Sequence, residues 1–174
     1  MSSCVLGLRA IFLGMALIAG SEAASADVAQ ERELVLSVPL DDPEMRAASS
    51  RARAELAGFL ERLAEPARDE REFMVAYDII PGKDEELVWV RELDRSGMSI
   101  TGILLSQPQR ARASAGDRVT IAETQILDWA YRRGRVMQGG YTYRVLIGRM
   151  LRDESAMLRE YLGWQDAAEA PRRR

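Results

Sequence analysis

"EFMVAYDIIPGKDEELVWVREL" (72–93) decides the fold class. Phe73, Val75, Tyr77 and Ile79 recur at every second position of 72–80, the period of a strand with one face toward a core. "PGKDEE" is a polar turn, and "LVWVREL" (87–93) is a second strand-forming run rich in Val and Trp. A turn this short joins antiparallel neighbours, because a parallel pair needs a crossover of a dozen residues or more. The pattern continues downstream. "DRSGM" turns, and "SITGILLS" (99–106) gives a third strand. "QPQRARASAGD" is a loop closed by Gly116-Asp117, and "RVTIAE" (118–123) is a fourth.

Upstream of the hairpin the period changes from two to between three and four. Met45, Ala48, Ala52, Leu56, Phe59, Leu60 and Leu63 form one apolar stripe on a helix. Asp42 is its N-cap, Pro43 fits the first helical position, and Pro66 stops it. Earlier still, Leu34, Leu36, Val38 and Leu40 alternate in "ELVLSVPL" (33–40) and read as a short strand. The fold class is therefore α+β: an N-terminal helix packed on an antiparallel β-meander of about 4–5 strands, with a C-terminal helical segment. Residues 141–147 read either way. Their β-branched and aromatic content favours strand, whereas Tyr143, Leu146, Met150, Met157, Tyr161 and Leu162 have helix-like spacing. Asp153 is expected to cap a second helical segment.

The ends of the chain are expected to lie outside this domain. Arg9, the apolar run "AIFLGMALIAG" and the small-residue motif Ala24-Ser25-Ala26 have the order of a secretory signal, with cleavage after Ala26. The run is shorter than the roughly 20 residues of a bilayer span. The expected layout is a signal peptide at 1–26, an α+β domain at 27–152, and a C-terminal helix with a frayed basic tail ("PRRR") at 153–174. A periplasmic or secreted protein with no stable membrane span follows.

Composition closes many chemistries. The sequence has no His, and its one Cys, Cys4, lies in the signal. Imidazole-based nucleophilic catalysis, Cys/His zinc sites and thiol redox chemistry are therefore excluded. Neither phosphate-cradling glycine motif is present. The acidic turn "KDEE" lacks the regular oxygen spacing of a calcium loop. No metal and no cofactor are expected. The chain carries a net charge of -3, yet residues 125–146 hold one acid, Asp128, against Arg132, Arg133, Arg135 and Arg144. This basic island is too small for the broad footprint nucleic acid requires.

"GDRVTIAETQILDW" and "GGYTYRVL", with "DDPEM", "FLERL", "FMVAYDI", "VWV" and "GILLSQP" before them, carry a resemblance. The combination resembles the YegJ-like conserved domain, domain of unknown function 2314, from about Val38 to Leu151. A more distant similarity is to a group of toxin-immunity proteins. The resemblance implies a compact α+β fold and supplies no activity. Gly116, Asp117, Asp128, Trp129, Gly139, Gly140, Thr142 and Arg144 are its signature positions in this chain. Two departures stand out: Glu86-Leu87 precede Val88-Trp89 where the family often has a His, and Ser106 stands where it often has Asn.

Two readings compete for "DWAYRRGRVMQGGYTYRVL" (128–146). A carboxylate beside an indole, Asp128 next to Trp129, is a weak candidate general acid. The structural reading is favoured: Trp129 in the core, Gly139-Gly140 in a positive-φ turn, Thr142 capping the following segment, and Arg144 paired bidentately with Asp128. The candidate binding residues are then Tyr131, Arg132, Arg133, Arg135, Tyr141 and Tyr143, since Tyr, Trp and Arg dominate protein hot spots. The expected function is an exported, non-enzymatic binding protein that engages a protein partner, as an inhibitor or immunity factor would. The alternative is a cell-wall glycan-binding or glycan-hydrolysing module using Asp128.

Overall fold

The computed structural model describes residues 38–82 and 85–164. Helix α1 (Pro43–Ala64) begins where the sequence places it. The Asp42 side chain accepts the Glu44 and Met45 amides at 2.9 and 3.4 Å, and Pro43 occupies the first turn. Six strands follow: β1 (Glu70–Asp78), β2 (Leu87–Ser96), β3 (Ser99–Leu104), β4 (Arg118–Ala122), β5 (Ile126–Arg133) and β6 (Val136–Gly139). They form one antiparallel sheet in the order β4-β3-β2-β1-β5-β6. Helices α2 (Tyr141–Gly148) and α3 (Arg152–Leu162) are the last elements among the described residues.

The sheet separates two apolar clusters. On one face α1 packs Ala52, Phe59 and Leu60 against Val75, Tyr77, Val88, Val90, Trp129 and Tyr131. Phe59 stacks on Trp129 at 5.2 Å between centroids, and Phe73 lies nearly parallel to Tyr131 at 5.1 Å. On the other face Ala76, Leu87, Trp89, Ala130 and Met137 meet Leu146, Ile147, Leu162 and Trp164 from α2 and the end of α3. Strands β1 and β5 are interior to the sheet, and the stretches where they pair are largely covered on both faces.

The sheet differs from a simple meander of about 4–5 strands. β5 returns across the molecule to pair with β1, and β6 adds a sixth strand. Its nearly unbroken burial removes the alternation that marks a half-exposed strand. The predicted strand at 33–40 is not present over 38–40, which are irregular; positions 33–37 lie outside the described residues. So do the signal segment, the basic tail, and Lys83 and Asp84 of the acidic turn. The ambiguous 141–147 segment is helix. Asp153 is not a cap: α3 starts at Arg152 with Leu151 before it, and Asp153 sits inside the first turn. Met157 and Tyr161, expected on an apolar stripe, are 63% and 71% exposed.

Candidate functional site

Asp128 is fully buried on β5. One carboxylate oxygen accepts both the Thr142 amide (2.7 Å) and the Thr142 hydroxyl (2.6 Å); the other accepts the Trp129 amide (2.8 Å). Burial pushes its pKa up to about 6 against the opposing pull of these donors. The geometry corrects two expectations. Thr142 does not cap α2, whose N-cap is Gly140 in the left-handed region; it lies inside the helix and donates to Asp128. Asp128 thus satisfies the helix start from a distant strand. Arg144 does not pair with Asp128. Its Nε donates to the Gly139 carbonyl at 3.1 Å, and its guanidinium lies 3.8 Å over the Trp164 ring. The Thr142 hydroxyl and the Thr142 and Trp129 amides already supply donors to both oxygens of the buried carboxylate.

Trp129 is core, as expected, and its indole N–H donates to the Ala52 carbonyl at 2.8 Å. Gly139 and Gly140 have φ of 71° and 63°. A β-carbon on Gly139 would collide with the Trp129 carbonyl and indole. Gly116 (φ 90°) and Asp117 close the loop before β4, where the Asp117 carboxylate accepts the Ser114 amide. A buried acid that the sequence reading passed over holds the same loop. Glu86 accepts the Gln109 and Arg110 amides at 2.5 and 3.0 Å.

The six candidate binding residues do not form one surface. Successive residues of a strand point to opposite faces, so β5 divides them. Tyr131 is buried on the α1 face. Arg133 follows it there and bonds Glu70, which also receives Arg62 from α1; these cations hold the Glu70 carboxyl below its ordinary range. Tyr141 bridges to α1, donating to Glu55 with Arg51 over its ring. Tyr143 packs edge-on against Trp89 and Trp164. Only Arg132 and Arg135 meet at an opening.

That opening is a cavity of about 600 Å³ lined by Arg71, Arg132, Arg135, Val136, Glu160 and Tyr161. Arg132 is buried; it donates to Glu72 at 2.8 Å and to the Arg135 and Tyr161 carbonyls at 3.1 and 3.3 Å. These bonds tie the β5–β6 hairpin to the end of α3. Its guanidinium also lies 5.0 Å from the Tyr161 ring centroid. Arg135 is exposed and makes no ion pair among the described residues. Arg71 and Tyr161 were missed by the sequence reading; they stand far apart in the chain, on β1 and α3, and Tyr161 is 71% exposed at the rim. An opening lined by three arginines and one glutamate, Glu160, with an aromatic rim, carries a surplus of positive charge that suits an anionic or acidic ligand. Among the described residues there is no group of three or more His, Cys, Asp or Glu placed to hold a metal ion, and no helix long and apolar enough to cross a membrane.

No curated protein and no solved structure matches the chain. A family model does, over residues 42–165: the one described as "Uncharacterized protein conserved in bacteria (DUF2314)". That span runs from the N-cap of α1 to just past Trp164 and takes in every element of both cores. The chain belongs to this family of uncharacterised proteins conserved in bacteria.

Proposed function

We propose that this protein is an exported, non-enzymatic binding protein of the bacterial envelope, an inhibitor or immunity factor that engages a protein partner at the Arg71–Arg132–Arg135 cavity. The observation that carries this reading is the exposed guanidinium of Arg135 beside the 71%-exposed Tyr161 on a preformed opening. Arg and Tyr are the side chains that most often anchor protein partners. Export is supported by the signal-like order of Arg9, the apolar run and Ala24-Ser25-Ala26. The glycan-hydrolase alternative needs an acid that reaches a sugar. Asp128 is fully buried and both its oxygens already accept bonds, so it offers none.

Three baits on an envelope extract test the assignment: the wild-type chain, an Arg135→Glu/Tyr161→Ala variant, and an Arg91→Glu control placed on β2. A partner retained by the wild type and the control and lost by the variant is the expected result. The same partner on all three baits would remove the cavity from the account.

A further inference from the structure

Two glutamates in this sheet adopt a backbone conformation that L side chains rarely hold. Glu72 on β1 and Glu92 on β2 both have φ of 55°. Each sits at an irregularity in the ladder, between Arg71 and Met74 and between Arg91 and Asp94 respectively. The two strands are neighbours, and both irregularities lie just past the Met74–Arg91 pair. The φ angle is the same in both places, but the side chains have different surroundings. Among the described residues, the ion-pair partner of Glu92 is its own neighbour, Arg91, at 3.3 Å. Glu72 sits between two arginines of the cavity, with Arg132 Nε at 2.8 Å and Arg71 Nε at 3.4 Å. Half of the Glu72 side chain remains open to solvent.

A carboxylate held between two cavity guanidiniums by an unfavourable backbone is a competitor for whatever anion that cavity takes. Resting on the reading above, we infer that the partner presents a carboxylate from an acidic segment, and that Glu72 occupies the place of that carboxylate when the partner is absent. The partner's carboxylate takes Arg132 and Arg71, with Arg135 as the third cation, while Glu72 swings to solvent. Glu72 therefore keeps the affinity for acidic segments low, and selects for partners that contribute further contacts to Tyr161 and Val136 on the rim.

The comparison of the two glutamates supplies the experiment. Calorimetric titrations of the full chain with a blocked tetraglutamate peptide, with inorganic phosphate, and with tetraglutamine as control, are run on the wild type, Glu72→Gly, Glu72→Asn and Glu92→Gly. Gly, and to a lesser degree Asn, accepts the left-handed backbone, so either Glu72 variant serves if the other folds poorly. Tetraglutamate affinity is expected to rise roughly tenfold in both Glu72 variants, about the worth of one competing charge-assisted hydrogen bond. Glu92→Gly removes the same charge from the same kind of backbone and is expected to match the wild type. Tetraglutamine is expected not to bind. Three results would overturn the inference: unchanged affinity in both Glu72 variants, an equal gain in Glu92→Gly, or a gain for inorganic phosphate with none for the peptide. Partner capture that depends on Arg135, together with unchanged Glu72 variants, would remove this inference and leave the broader reading standing.

Discussion

The ends and the middle of the 128–146 stretch have opposite character. At the ends, Asp128, Trp129, Gly139, Gly140 and Thr142 are buried and close on one another: carboxylate to hydroxyl and amide, indole to Ala52, glycine against ring. In the middle, Arg132 and Arg135 open onto a cavity, and one of them has no ionic partner among the described residues. Both regions hold charged and aromatic side chains. What separates them is whether the bonds of each polar group are completed inside the fold. Completed groups hold the structure, and the incomplete one is left for a partner.

The closed end is where substitution is expected to cost most. Asp128→Ala leaves the Thr142 amide and hydroxyl and the Trp129 amide buried without a partner. A loss of about 4–5 kcal/mol in denaturant unfolding is expected, from about 1–3 kcal/mol per stranded donor. A loss under about 1 kcal/mol would break the claim that this carboxylate starts α2. Gly139→Ala must move either β6 or the Trp129 indole, at positive φ, and is expected to cost about 3–4 kcal/mol in the same measurement.

Asp128 also sharpens the comparison through pH. Its folded-state pKa of about 6 lies above the ordinary aspartate value. As pH rises from about 4, the unfolded chain releases this proton first, and the folded chain keeps it until about 6. The unfolded state then binds fewer protons, so this group's contribution to stability is fully present below about pH 4 and is lost as pH rises through 6. At roughly 1.4 kcal/mol per pKa unit, the change amounts to at most about 3 kcal/mol. Glu70, Asp42 and Glu55 act in the opposite sense, because their lowered values are lost on acidification. The test is therefore the difference between wild type and Asp128→Asn across pH 4–7, which should narrow as pH rises. A constant difference would mean that Asp128 is ionised throughout.

The sequence made local order legible and left remote order hidden. The α1 stripe, its Asp42-Pro43 start and the β1–β2 hairpin all depend on neighbours a few residues apart, and the structure contains them as read. β5 was hidden because an interior strand covered on both faces shows no alternation, and β6 because its four residues are too few to show a period. The start of α2 was ambiguous because its cap is supplied by Asp128, fourteen residues away in sequence, where local rules do not look. Arg144 was misassigned because charge alone suggested an ion pair, whereas the shorter Thr142 side chain and its amide fill the site. The candidate site was half legible. Arg132 and Arg135 stand in the basic island, but Arg71 and Tyr161 join them only through the fold, from β1 and α3.

The division into a closed scaffold and an open binding surface is tested most directly at Arg135, where the account expects the smallest structural effect and the largest functional one. Arg135→Glu and the wild type would be compared by denaturant unfolding and, on the same samples, by capture of the partner the wild type retains. Superimposable unfolding within about 0.5 kcal/mol, as for an exposed residue without an ion pair, together with loss of capture, is the expected result. Undiminished capture, or a loss of stability comparable to that of Asp128→Ala, would contradict it.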